Sequence, residues 1–166
     1  MRWIWIDKFV EFESGQRAVA LKNVTMAEEH LHDHFPGFPV MPECLMIEAM
    51  AQTSGILVGE AGKFAEKVVL AKIKKAVFHD YVRPGDTLLL SATLESFAPE
   101  AASTAGHITR GDERIAEIDL MFSHVDQNLA GLEFPEENFV FEDNTFKALL
   151  RDFVTSTDPA ENRQAE

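Results

Sequence analysis

The sequence predicts an α+β fold in which one curved antiparallel sheet surrounds a single long apolar helix. Residues 44–59 (CLMIEAMAQTSGILVG) contain good helix formers and one charge, Glu48, so this helix needs cover on nearly all sides. Two segments before the helix and four after it have the composition or the polar–apolar alternation of strands. Short turns separate the later strands, which is typical of antiparallel pairing in one sheet.

The strand segments follow one another in a regular order. Residues 3–13 are rich in aromatic and β-branched side chains, and Ser14-Gly15 separates them from an alternating segment at 17–25, so a hairpin is expected. Residues 26–42 contain four turn formers and are predicted to be a loop. After the helix come four further predicted strands, at 67–78, 87–98, 102–110 and 114–125.

The pattern predicts one domain followed by an extension. The strands and the helix all lie within residues 1–125. Residues 126–166 lose the strand pattern and carry ten acidic and three basic residues. We predict an acidic, partly disordered C-terminal extension with one short helical segment at 145–154.

Charge and cysteine content exclude several classes of function. The net charge of −13 argues against nucleic acid and anionic membranes as partners. Cys44 is the only cysteine, so no intrachain disulfide can form. Charges at Asp7 and Lys8 interrupt any secretory segment, and the 16 residues 44–59, the longest charge-poor stretch, are too few to span a bilayer. A cytoplasmic protein is therefore expected.

Basic residues are concentrated in one part of this acidic chain. Residues 63–83 contain six basic and two acidic side chains. Such a basic segment can dock an acidic partner, or it can be the solvated face of a strand. The composition leaves both interpretations open.

Three histidines, His30, His32 and His34, lie within five residues. In an extended segment their alternation would point all three side chains the same way, as a metal site requires. However, HLHDH lacks one residue of the metallo-hydrolase pattern H-x-H-x-D-H, and the remaining histidines are scattered. We predict no metal site.

Glu48 and His34 have the chemistry of a proton-transfer pair. A lone carboxylate in a buried helix is costly, and burial favours its protonated form, which suits a general acid. The alternative is a structural carboxylate satisfied by loop backbone. Gln52, four residues on, could orient Glu48 or merely satisfy its own polar groups. His34 precedes a Pro/Gly turn that would hold a base rigidly, although a lone loop histidine is more often surface decoration.

The segment DHFPGFPVMPECLMIEAMAQ resembles a motif of the β-hydroxyacyl-acyl-carrier-protein dehydratases, HFPG-x-P-x-x-P-G-V-L-x-x-E-A-M-A-Q. The histidine of that family corresponds to His34 and its acid to Glu48. Upstream, VEFESGQRAVALKNVT is similar to the family's opening hairpin, and downstream KKAVFHDYVRPGD is similar to its strand ending in P-G-D. The likeness extends from about residue 5 to residue 125.

This resemblance implies a hot-dog fold and an active site shared between two protomers. His34 would act as base with Glu48 of the neighbouring subunit as acid, in a dimer or a trimer of dimers with an apolar acyl tunnel. The acyl group would arrive on the phosphopantetheine arm of acyl carrier protein, and no metal or other cofactor would be needed. The implied substrate-binding groups are Phe35, Gly37, Cys44, Gln52 and the backbone N–H of Glu43. The implied carrier-protein docking residues are Lys72, Lys74, Lys75 and Arg83.

The sequence departs from the family pattern at one site residue. Glu43 stands where the family has glycine, and it would be strained if that glycine needs a positive φ. An acidic first-turn residue that points to solvent is the alternative. The family's P-H-R-Y-P-F-like leader is also absent. Three functions therefore stay open: a 3-hydroxyacyl-carrier-protein dehydratase, a thioesterase of the same fold, and a catalytically weakened acyl-binding partner subunit.

Overall fold

A computed structural model describes residues 4–125, and these form one six-stranded antiparallel sheet that packs on one long helix. The strands lie in the order β1-β2-β4-β5-β6-β3, so β1 and β3 are the two edges. The predicted α+β class is confirmed. The elements are β1 (Lys8–Glu13), β2 (Arg17–Asn23), α1 (His30–Asp33), α2 (Glu43–Ala61), β3 (Val68–Phe78), β4 (Thr87–Phe97), β5 (Ala101–Arg110) and β6 (Glu113–His124).

The central helix α2 contacts β2, β3, β4, β5 and β6. It begins directly after Pro42, whose φ of −57° and ψ of 136° are extended rather than helical. Its later turns are buried almost completely, and small residues such as Ala49 and Gly55 let the sheet approach closely. Its first turns differ, because Glu43, Cys44 and Glu48 are exposed. The prediction of a helix covered on nearly all sides is therefore right for the later turns and wrong for the first ones.

The inner face of the sheet supplies the other half of the core. Alternate residues of β4, β5 and β6 are buried, as expected for an antiparallel sheet with one face on a helix. The closest approach is at Gly106, where a Cβ atom would lie 2.6 Å from the sulfur of Met50 and 2.9 Å from the carbonyl oxygen of Ile118. Only glycine fits between the helix and the neighbouring strand at that point.

Two predictions for the segment before α2 are wrong for identifiable reasons. The first strand begins at Lys8 rather than residue 3, because the N–H of Trp5 donates to the side chain of Gln52 instead of a strand partner. The predicted loop at 26–42 contains the single turn α1, which the buried side chain of Leu31 anchors in the core. The predicted acidic extension, with its helical segment at 145–154, lies outside the described residues.

The turn after β3 is held by Arg110. Its guanidinium donates to the Tyr81 carbonyl at 3.0 Å, and to carboxylates of Asp80, Asp86 and Glu113 at 2.5 to 3.1 Å. The hydrogen bond from Arg110 is the main reason that the pKa of Asp80 is lowered, and the three carboxylates raise the pKa of Arg110. This turn matters for the site because the carbonyl of Val82 accepts from the N–H of Met41, just before α2.

No helix within residues 4–125 is both long and apolar enough to cross a bilayer.

We predict that Gly106→Ala lowers the free energy of unfolding by about 1–3 kcal/mol, because the added methyl group overpacks the contact between β5 and α2. Denaturant unfolding of the purified protein measures this change.

Gly55→Ala is the matched control. A Cβ there would meet Phe122 at 3.5 Å, which is an ordinary contact. Alanine is also the better helix former by about 1 kcal/mol, so this variant should be no less stable than the parent. Equal losses from both substitutions would contradict the proposed close approach at Gly106.

Candidate active site

The ring of His34 is held by the backbone of Val40. Nδ1 of His34 lies 3.0 Å from the carbonyl oxygen of Val40, and the Val40 N–H donates to the His34 carbonyl at 2.8 Å. A carbonyl oxygen can only accept a hydrogen bond, so Nδ1 must carry a hydrogen atom. In the neutral ring Nε2 then has the free lone pair, which is the arrangement that a general base needs.

The turn that follows His34 is closed by its own backbone. Phe35 and Phe38 exchange two backbone hydrogen bonds of 3.1 and 2.9 Å, and Gly37 has a φ of +78°, which disfavours any other residue. The His34–Phe35 peptide bond is cis, and the Phe35 ring stacks on the imidazole with centroids 4.2 Å apart. Phe35 and Phe38 are 55% and 44% exposed. The turn therefore places an open apolar surface beside the base.

Glu48 is oriented by Gln52, one helical turn further along α2. The Gln52 amide donates to a Glu48 carboxylate oxygen at 2.9 Å, and its own oxygen accepts from the Trp5 N–H at 2.7 Å. The expectation of a buried Glu48 is wrong for the single chain, in which this residue is exposed. The reason is that the sheet of the same chain does not cover the strip of α2 on which Glu48 lies.

The first turn of α2 offers unused hydrogen-bond donors. Pro42 provides no side-chain cap, and among residues 4–125 no acceptor is found for the N–H groups of Glu43 and Cys44. Together with the positive end of the helix dipole, these amides can bind an oxygen that gains negative charge. Glu43 has a helical backbone and an exposed side chain, so the possible strain at this position does not arise.

The three clustered histidines do not point the same way. His30 packs on the Trp5 ring with centroids 5.3 Å apart, whereas Nε2 of His32 lies 3.0 Å from the Met26 carbonyl. The common direction that an extended segment would give does not arise, because residues 30–33 are helical and helical residues two apart face different sides. Burial is the main cause of the lowered pKa of His30, and Lys22 and His34 act in the same direction. In the described part of the chain, no cluster of three or more His, Cys, Asp or Glu residues could hold a metal ion.

The four basic residues predicted to dock a carrier protein divide into two groups. Lys72, Lys74 and Lys75 lie on the edge strand β3, where Lys74 and Lys75 form ion pairs with Glu95 at 3.4 Å and with Glu117 at 2.5 Å. The hydrogen bond with Glu117 raises the pKa of Lys75 and lowers that of Glu117. Arg83 lies apart from them, over the Phe38 ring at 4.2 Å. A cation thus stands next to the turn that follows His34.

Sequence reasoning missed two groups that orient the candidate residues, the carbonyl of Val40 and the N–H of Trp5. Both act through the backbone, so residue type carries no signal for them. Conversely, no hydrogen bond or ion pair within the described chain joins His34 to Glu48, and the two residues lie on separate elements.

Comparison with known proteins shows the family. Residues 3–119 match the family model of the FabA-like domain. The FabZ-named 3-hydroxyacyl-[acyl-carrier-protein] dehydratase of Caldanaerobacter subterraneus is 40% identical over 121 residues, which cover 72% of this chain and 86% of the relative. The protein of the same name from Hydrogenobaculum is 42% identical over 121 residues, covering 70% of this chain and 80% of the relative.

Solved structures agree on the fold. The dehydratase heterocomplex ApeI:P of Xenorhabdus doucetiae superimposes with a TM-score of 0.61 at 16% identity, over 73% of this chain and 82% of that one. The Streptococcus mutans protein smu.793, solved with acetyl CoA, superimposes with a TM-score of 0.58 at 16% identity. The match covers 70% of this chain and 86% of that one. The helix wrapped by the antiparallel sheet is thus a hot-dog fold, as the sequence resemblance implied. By its sequence, the chain belongs to the FabA-like family.

Proposed function

We propose that the protein dehydrates 3-hydroxyacyl thioesters carried by acyl carrier protein to trans-2-enoyl thioesters, in fatty acid synthesis. The observation that carries this proposal is the hydrogen bond from Nδ1 of His34 to the Val40 carbonyl, which leaves Nε2 as a base. The family of the chain and the names of its relatives support the same reaction. We propose the cytoplasm as its compartment, since the single cysteine requires no oxidising environment.

The first step removes a proton from the substrate. Nε2 of neutral His34 takes the proton from C2, and the electron pair of the broken C–H bond moves toward the thioester carbonyl. Negative charge then grows on the carbonyl oxygen, where the amides of Glu43 and Cys44 and the helix dipole stabilise it. Cys44 contributes its backbone, while Phe35 and Gly37 shape the turn that holds the acyl group.

The second step expels the hydroxyl group. Protonated Glu48 of a second protomer donates its proton to the C3 hydroxyl as the C–O bond breaks, so that water leaves and the C2–C3 double bond forms. A carboxyl group is protonated more readily when a neighbouring chain shields it from water. Gln52 holds this carboxyl group in place. The proposed reaction needs two proton transfers and the backbone amides that stabilise the thioester oxygen. It uses no metal or redox group.

A second copy of the chain is the partner that the surface of β3 favours. β3 is an edge strand of eleven residues, and it is exposed along nearly all its length. Its apolar side chains Val69, Leu70, Ile73 and Val77 are 38% to 44% exposed. A long apolar edge of this kind is a template for pairing with another strand. We propose that two copies pair through β3, and that the dimer also covers the exposed strip of α2 that carries Glu48; a trimer of dimers is compatible with this pairing.

Acyl carrier protein is the proposed second partner. Arg83 over Phe38 supplies a cation beside the active-site turn, and no ion pair of Lys72 is found in the described part of the chain. These two residues suit an acidic partner better than Lys74 and Lys75, whose charges are already paired with carboxylates.

We expect His34→Ala and Glu48→Gln each to lower kcat by ~10²–10⁴-fold, because each removes one proton-transfer group. The assay follows enoyl absorbance with a 3-hydroxyacyl carrier-protein thioester. His32→Ala is the matched control, since among residues 4–125 its exposed ring hydrogen-bonds only to the Met26 carbonyl, outside the site. The chain is instead a catalytically weakened partner subunit if two results are found together. The parent protein then shows no more turnover than His34→Ala, and the substitution Glu43→Gly is enough to produce turnover. Release of free thiol without enoyl product would identify a thioesterase.

We expect a dimer or a larger even-numbered assembly by light scattering at micromolar concentration. Ile73→Glu should shift the mass to the monomer and abolish dehydration, because charge on the β3 edge prevents pairing. Met26→Glu, at an exposed apolar residue outside β3, should leave the assembly intact.

Mixed assemblies test whether the site is shared. Combining inactive His34→Ala chains with inactive Glu48→Gln chains should restore part of the activity, because a mixed dimer holds one complete pair. A monomeric parent protein, or no recovery from subunits shown to have exchanged, would contradict the shared site.

Arg83→Ala and Lys72→Ala should each raise KM for the carrier-protein substrate by roughly two- to fivefold, as expected for exposed charges. KM for a pantetheine thioester, which lacks the acidic protein, should stay the same. Lys8→Ala, an exposed lysine on the opposite edge strand, is the control. If KM rose equally for both substrates, these residues would not belong to the docking surface.

A further inference from the structure

The amide of Gln52 has a fixed direction in the structure. Its oxygen accepts from the Trp5 N–H at 2.7 Å, and its nitrogen donates to Glu48 at 2.9 Å. An amide can turn over and exchange these two ends, but a backbone N–H can only donate, so the oxygen has to face Trp5. The NH₂ group consequently faces Glu48.

This direction decides what happens to the acidic proton of Glu48. When the NH₂ group of Gln52 faces the carboxyl group, it occupies one oxygen as a donor, and the proton stays on the other oxygen, where it can reach a substrate. If the amide turned over, its oxygen would accept that proton in a hydrogen bond and hold it away from the leaving hydroxyl group. The Trp5 N–H excludes the second arrangement.

The position of the Trp5 N–H is itself fixed by the indole side chain. Trp5 is 9% exposed, its ring meets His30 edge-on at 5.3 Å, and the Lys22 ammonium lies 5.7 Å above it. Lys22 is held in turn by Glu28 at 3.1 Å. The segment before β1 is thus anchored on the core, although it belongs to no strand.

We propose that Trp5 is a positioning residue for the dehydration, because its backbone N–H fixes the Gln52 amide in the one direction that leaves the Glu48 proton available to the substrate. This inference rests on the proposed function. It adds a residue that acts on the Glu48 carboxyl group through Gln52.

The test is a double-mutant cycle on the full-length assembly. Trp5→Pro removes the N–H, and Gln52→Met removes the amide while keeping the side-chain length. Each of these two substitutions should lower kcat by at least about tenfold and leave KM nearly unchanged. The reason is that a wrongly oriented Glu48 carboxyl group slows proton transfer without weakening substrate binding. The double variant should be no slower than the slower single variant, since both remove the same constraint.

Three further variants separate positioning from folding. Trp5→Phe keeps both the N–H and an aromatic ring against His30, so it should retain most of the rate. Ile4→Pro places the same proline one residue earlier, at an exposed position, and should retain the parent rate. If Trp5→Pro does not fold, Trp5→Ala replaces it in the cycle, because loss of the ring releases the N–H from its position.

The outcomes separate this inference from the proposed function. An active parent with multiplicative losses in the double variant would overturn the positioning role and leave the dehydratase intact. Equal losses from Ile4→Pro and Trp5→Pro would overturn it as well. An inactive parent would overturn the proposed function itself, and the positioning role with it.

Discussion

One hydrogen bond, between Nδ1 of His34 and the carbonyl of Val40, decides what the site can do. It fixes the tautomer of the ring and the direction of the free nitrogen. That carbonyl is in turn fixed by neighbouring structure: Met41 is tied to Val82, and Arg110 holds the turn that contains Val82. A histidine without these supports would rotate and exchange its proton between both nitrogens, and it would be an ordinary surface residue.

The second constraint is that a single chain leaves part of its helix uncovered. The later turns of α2 are in the core, and Gly106 lets the sheet come close to Met50. The first turns expose Glu48, and the edge strand β3 exposes four large apolar side chains. The exposed apolar side chains of β3 are costly on an isolated molecule, and a second copy that covered them would remove that cost. Under the proposed pairing, the copy that covers β3 would also cover the strip of α2 that carries Glu48.

The sequence predicts the positions of the strands and the helix well, and it predicts poorly which of their residues are buried. Alternation and turn residues located β2 to β6 to within two residues. For β4, β5 and β6 the alternation arises because one face of each strand is buried against the helix. Composition could not reveal that α2 has an uncovered strip, since burial depends on how far the sheet reaches. For the same reason the sequence predicts a buried Glu48, which the single chain leaves exposed. The sequence also does not show that α1 turns His30 and His32 to different sides. The candidate pair itself came from a family motif, whereas the groups that orient it, Val40 and Trp5, act through backbone atoms that leave no trace in residue type.

The central claim is that the base of one protomer and the acid of another face the same cavity. A crystal structure of the assembled protein with a non-reactive 3-hydroxyacyl thioester analogue tests it most directly. The account predicts Nε2 of His34 and a carboxyl oxygen of the partner's Glu48 on opposite sides of the ligand, each about 3 Å from C2 or from the C3 hydroxyl oxygen. Side chains packed between the two groups, or a Glu48 that remains in open solvent in the assembly, would contradict it.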